Sequence, residues 1–342
     1  MIKNSLVLAV AFLALGVNAA RELDEVDKAC ERGLEYLLNS QNPDGSFSHN
    51  WGKTVAMPAL AGMACLATGH TPTDAKYGLL IDRSLSYILK NHDQKGYFGD
   101  CHDGKMYAHA IATLFLTEVS GMVSAERQKQ IDEVLPRAIK IIIDAQAIKK
   151  NQSHAGGWRY TPTSTDSDTS CSGWCLMALR SARLNGARVP TTAIVRAVKY
   201  MINHHDPEKG TFGYQNRYQN SVTLSGAGIL CLELCGRHED PASLRAAKYL
   251  MSVYRSQLAN QSFRYYGLYY ASQGLFQIGG EYWKEYSSWL YSTFLPQQRS
   301  DGSWNAHHSE HSPIYATSMM ILSFAVPFRQ LPVYQRDETV DE

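Results

Sequence analysis

Apolar residues recur along this chain with the period of a helix. Around RGLEYLL, Cys30, Leu34, Leu37 and Leu38 fall at i, i+4, i+7 and i+8, and Ile81, Leu85, Ile88 and Leu89 repeat that spacing around RSLSYIL. One apolar stripe with charged residues opposite is the mark of a helix packed on one side only. The block returns as RAIKIII, RAVKYMI and RAAKYLM, headed by Arg137, Arg196 and Arg245. A glycine-aromatic turn follows each helix: NPDGSF at Phe47, QKGYF at Phe98, AGGW at Trp158, EKGTF at Phe212 and SDGSW at Trp304, with a degenerate NQSF at Phe263 in fifth place. Glycine tolerates the positive φ of a sharp turn, and the aromatic ring plugs it. A second kind of segment then follows, rich in small residues and lacking a polar face, as in MPALAGMACLATG and VTLSGAGILCLELCG. Such helices suit an inner layer, and the charged-faced ones an outer layer. Six alternations predict an all-α protein, an (α/α)6 toroid of six helix-pair repeats, with no sheet and a single domain over 20–330.

The ends read differently. Lys3, the apolar run Ser5 to Val17 and the VNA before Ala20 have the layout of a secretory signal over 1–19. That run is too short to span a bilayer, so no transmembrane anchor is expected and the mature chain is expected outside the cytoplasm, periplasmic or extracellular. Residues 331–342 read as an acidic, disordered tail, its charges gathered after Arg336. With 342 residues, 44% apolar content and a net charge of +1, the composition is that of a globular protein with no bias toward nucleic acid. Seven cysteines, an odd number, leave at least one unpaired within a monomer. The pairs Cys171/Cys175 and Cys231/Cys235 read as small buried residues, and neither a metal nor a cofactor is assigned.

The repeats resemble the QW repeats of class II terpene cyclases and of protein prenyltransferase β subunits, the α/α-toroid family. RAIKIIIDAQ…GGW and LPQQRSDGSW carry the resemblance most specifically. The whole pattern is most similar to exported bacterial proteins built of this repeat alone. In squalene-hopene-type cyclases, a DxDDTA motif opens an inner helix and its middle aspartate, kept protonated, starts cyclisation. Here the matching stretch is TDSDTS. With Thr169 and Trp174 in register, Asp168 takes the last aspartate's place and Ser167 that of the acid, and a serine hydroxyl is too weak an acid to protonate an alkene. A shift by one residue would instead make Asp166 and Asp168 the first and middle aspartates, the catalytic pair if the chain were a cyclase. The zinc site that resemblance to prenyltransferases would imply is missing a ligand, because Lys105 stands two residues after Asp103 where a cysteine belongs. Asp168 also fits a plain helix cap.

Every turn leads into an inner helix, so the polar residues after the turns should gather at one mouth of the ring. The candidate ligand-binding residues there are His102, Asp103, Trp158, Arg159, Tyr160, Arg217, Tyr218, Arg264, Tyr265 and His307. Three Arg-Tyr pairs suggest a basic-aromatic rim for an anionic or glycan-like ligand, or alternatively struts between neighbouring turns. His307 and His311 sit four apart with Glu310 between them, near metal-ligand spacing, but Pro313 argues for a loop. The expectation is a monomer that binds a small molecule or polymer, whether isoprenoid, lipid, glycan or peptide. The alternative is an enzyme using rim aspartates and histidines, cyclase-like or glycan-cleaving.

Overall fold

The structure is a computed structural model and describes residues 24–48, 54–99, 105–310 and 312–334. The expected leader, together with Trp51, Asp100, His102, Asp103 and His311, lies outside the described residues. Twelve α-helices stand among those described: α1 (Glu25–Ser40), α2 (Ala56–Ala67), α3 (Gly78–Lys90), α4 (Lys105–Val119), α5 (Ala125–Ala147), α6 (Thr169–Leu184), α7 (Thr191–Asn203), α8 (Val222–Leu234), α9 (Pro241–Val253), α10 (Arg264–Ile278), α11 (Gly280–Phe294) and α12 (Pro313–Phe324). Even-numbered helices form the inner ring. Each packs on the next, and α12 closes on α2. Every residue of α2 and of α8 is buried, which explains why neither sequence shows a polar face. Odd-numbered helices form the outer layer and bury one stripe each, as Ala29, Cys30, Leu34 and Leu37 do in α1.

The recurring glutamine, glycine and arginine turn out to be parts of one clamp. Gln298 donates through Nε2 to Gly302 O and to Ala29 O, both at 2.8 Å, while Arg32 donates through Nε and Nη2 to Gln298 Oε1 at 3.0 and 2.6 Å. The sixth turn is thereby tied to the first outer helix, and the ring is shut. Gln146 does the same one repeat ahead, with Gly156 O, Ala193 O and Arg196 as partners. Glycine is obligatory in this turn: at Gly156, with φ +95°, an added Cβ would stand 2.3 Å from Arg196 O. The plugs Phe47, Phe98, Trp158, Phe212 and Trp304 are all buried.

Two expectations change. The fourth junction forms a short antiparallel sheet, β1 (His205–Asp206), β2 (Thr211–Gly213) and β3 (Asn220–Ser221), in the order β1-β2-β3. The EKGTF turn has room to continue as a hairpin because RYQN returns the chain before α8 begins. Residues 331–334 are not tail. They form a 3-10 turn, Pro332–Tyr334, packed on α6, with Leu331, Val333 and Tyr334 buried. Val333 N–H donates to the Glu118 carboxylate at 3.2 Å, and Gln277 Nε2 donates to Tyr334 O at 2.7 Å. The acidic residues beyond 334 lie outside the described ones. All six described cysteines are free and buried. No helix among the described residues is long and apolar enough to cross a membrane.

Candidate functional site

The mouth of the ring at the start of α6 gathers Arg159, Tyr160, Asp166, Asp168 and Tyr214. Chain geometry fixes it from both sides: Asp168 N–H donates to Trp158 O at 2.9 Å, and Thr169 N–H donates to Tyr214 O, also at 2.9 Å. The Thr169 hydroxyl also donates to Gly213 O at 2.7 Å, so β2 braces the start of α6. Asp168 caps the helix. Its Oδ1 accepts from Cys171 N at 2.8 Å and from Ser170 Oγ at 2.6 Å, leaving Oδ2 3.3 Å from Arg159 Nη1. The residue is wholly buried, and burial raises its carboxyl above the ordinary range although the hydrogen bonds and Arg159 pull the other way.

Arg159 is the hub. Its guanidinium lies 4.3 Å from the Tyr160 ring centre and 5.4 Å from that of Tyr214. Nε stands 3.4 Å from Asp166 Oδ2, which also accepts from Gln215 Nε2 at 3.2 Å. The Tyr160 and Tyr214 hydroxyls bond each other. Behind this nest the bore is aromatic. Tyr107 OH meets Ser170 Oγ, and Tyr266 reaches across from α10 to Ser170 O at 3.4 Å. Deeper still, Trp174 stacks on Tyr269 at 5.5 Å, with the Tyr270 ring edge-on.

The other predicted residues do not form one continuous rim. Trp158 is the buried plug of the third turn, its indole N–H given to Ile142 O at 2.7 Å, so it serves the turn and presents no face to a ligand. The charge of Arg217 bears on His204 and His205, whose pKa values are lowered chiefly by burial, and Tyr218 is 78% exposed. Arg264 and Tyr265 make a second cluster at the start of α10: the guanidinium stacks on Tyr265 at 4.7 Å and donates to its hydroxyl, which in turn donates to Asn305 O at 2.6 Å. His307 belongs to the same cluster through backbone hydrogen bonds with Glu310. Three pairs alike in sequence therefore have three different settings.

Glu310 is the residue that sequence reasoning missed. Its two oxygens accept the Tyr265 and Tyr266 N–H groups at 2.9 and 2.8 Å, so it caps α10 from the neighbouring junction. Burial drives its carboxyl up to about 7, against those hydrogen bonds and the charge of Arg264. A signal existed: α10 opens FRYYG, with Phe263 at a cap position that usually carries Ser, Thr, Asp or Asn. Among the described residues no three His, Cys, Asp or Glu side chains converge to hold a metal.

Solved structures share this architecture. The fold is an α/α toroid, similar to those of a type II terpene cyclase and an exo-oligoxylanase. MstE from Scytonema aligns at 14% identity and a TM-score of 0.57 over 90% of this chain and 100% of its own. A variant of that enzyme in complex with geranylgeranyl dihydroxybenzoate, its substrate, aligns at 14% and 0.59 over 90% and 98%. A reducing-end-xylose releasing exo-oligoxylanase variant aligns at 11% and 0.58 over 92% and 95%. At such identities the likeness establishes the toroid and nothing of the chemistry. No family model matches the chain.

The groups at α6 limit the chemistry open to them. Ser167, in the acid's place, turns away from the mouth and donates its hydroxyl to His154 O at 2.8 Å. Asp168 is committed to the helix start, one oxygen on the Cys171 N–H and the Ser170 hydroxyl and the other on Arg159, so the protonated form that its burial favours would have to give up one of these contacts to face an alkene.

Proposed function

We propose that the protein is an exported, monomeric binding toroid that holds a neutral, hydroxyl-bearing ligand at the α6 mouth. The observation that carries this reading is the state of Arg159, which is enclosed by two tyrosine rings and already paired with Asp166 and Asp168. An arginine so engaged has little attraction left for an anion, which argues against an isoprenoid diphosphate and, of the two ligands a basic-aromatic rim would suit, favours the glycan-like one. The half-buried Tyr107, Tyr160 and Tyr214 offer ring faces and hydroxyls beside it, the mixture that suits a sugar or another polyol. The test is binding by calorimetry of neutral oligosaccharides, geranylgeraniol and geranylgeranyl diphosphate to the wild type and to Tyr214→Phe. The reading expects a neutral ligand to bind and Tyr214→Phe to weaken it severalfold. Preferential binding of the diphosphate would refute it.

A second reading, a glycan-cleaving enzyme, draws on Asp168 and Glu310, two buried carboxyls with raised pKa at one end of the ring. Both Glu310 oxygens accept helix N–H groups, and Asp168 gives one oxygen to the Cys171 N–H and the other to Arg159, which favours the binding reading. Release of reducing sugar from xylan, lost in Glu310→Gln, would reverse the preference.

A further inference from the structure

Five of the six turns drive an aromatic plug into the ring, and the fifth does not. Its NQSF sequence lacks the glycine, and Phe263 is left 54% exposed. At the preceding helix end Leu258 is buried against Gly267 of α10, and Tyr254 is buried against Tyr286 and Trp289 of α11. A cleft of about 500 Å³ lies on the outer flank here, between the end of α9 and the outer face of α11. Trp289 lines it and is held in place by three neighbours: Tyr254 with rings 4.8 Å apart at 80°, Phe294 at 5.6 Å and 88°, and Tyr286 at 5.6 Å. Around the indole stand two cations and two anions that pair among themselves, Arg255 with Glu285 at 3.0 Å and Lys284 with Glu281 at 3.4 Å. Ser288 and Ser292 add hydroxyls.

We infer that this cleft is a second ligand site, and that its ligand is a neutral oligosaccharide stacked on Trp289. A rigid aromatic face takes the C–H side of a sugar ring, and charged side chains accept and donate to its hydroxyls without giving up their mutual pairing. A charged ligand would meet two cations and two anions of balanced sign and gain no net attraction. A lipid would place its tail against four charges. The other outer cleft, of about 230 Å³ beside Arg127, Glu133 and Arg137, serves as an internal contrast, since no Phe, Tyr or Trp lines it. This inference does not rest on the reading of the α6 mouth, because the two sites share no residue.

The experiment titrates hexasaccharides of xylose, glucose and mannose into the mature protein, following heat and tryptophan fluorescence. Binding of at least one is expected, weakened tenfold or more by Trp289→Ala and by Ser288→Trp, which fills the cleft from an exposed position and leaves the packing of Trp289 in place. Lys90→Ala, in the other outer cleft, should leave that binding unchanged. If no hexasaccharide binds at about 10 mM, or if both cleft variants bind as the wild type does, the inference is overturned. Loss of binding in Arg159→Ala alone would overturn it too, and would assign the sugar to the α6 mouth.

Discussion

Glu118 offers a direct test of how the far end of the ring is held. It is wholly buried near the end of α4, bonded to the Ser181 hydroxyl and to Val333 N–H, and burial lifts its carboxyl from 4.5 to about 7. A rise of that size corresponds to about 3 kcal/mol of penalty on the ionised form. Because the folded-state value lies above the unfolded one, the stability this group contributes is complete below about 4.5. It is lost as the pH climbs through 7. Glutamine has nearly the same shape, keeps an oxygen for Val333 and has no charge to desolvate. Glu118→Gln should therefore match the wild type within about 1 kcal/mol at pH 4.5 and exceed its stability by about 2–3 kcal/mol at pH 9. Urea unfolding at a series of pH values measures this, and subtracting one protein from the other cancels Glu310 and every other shared titration. A difference that stays flat across the range would refute the account of Glu118 as an acid whose burial outweighs its hydrogen bonds.

Three further outcomes follow from the geometry. Gly156→Ala should lose about 3 kcal/mol or more, since its Cβ would meet Arg196 O, whereas Gly186→Ala, at φ +82° with open space around it, should lose only about 1–2 kcal/mol. Gln298→Ala removes both carbonyl contacts and the Arg32 fork, so denaturant unfolding should show a loss of about 2–3 kcal/mol. Squalene incubated with the protein in detergent should be recovered unchanged; a cyclised product that disappears in Asp168→Asn would show that the acid is Asp168 after all.

What could be read from the sequence was local. Helical period, turn glycines and aromatic plugs each act within a few residues, so the six repeats and the two layers were legible. Gln298 and Arg32 were each visible as recurring positions, but their pairing was not, because the bond closes the ring across nearly the whole chain. Glu310 was hidden for the same reason: it caps a helix that begins 46 residues before it. Residues 331–334 looked like tail because their anchors, Glu118 and Gln277, sit on other helices. The Arg-Tyr pairs misled in the opposite way. Arg159, Arg217 and Arg264 occupy like positions in successive repeats, yet only the first has carboxylates on both sides of its guanidinium.

That arrangement at Arg159 recurs at the fifth-repeat cleft, and the recurrence has a measurable consequence. In both places the cations near an aromatic face are already matched by anions of the protein itself, and the chain as a whole carries a formal charge of only +1. Neither site therefore projects a field that would gather charged ligands from a distance; recognition has to come from contact, through stacking and hydrogen bonds at short range. Screening acts on long-range charge attraction, shortening its reach to about 3 Å at 1 M salt, and has little effect on stacking. Raising the salt from about 50 to 500 mM should accordingly change the affinity of a bound hexasaccharide by less than about twofold. A ligand held by free arginines would lose affinity steeply over the same range. A steep loss for the hexasaccharide would mean that the ion pairs Arg159–Asp166 or Arg255–Glu285 open in the complex, and that the charges here are working parts of the site rather than its closed frame.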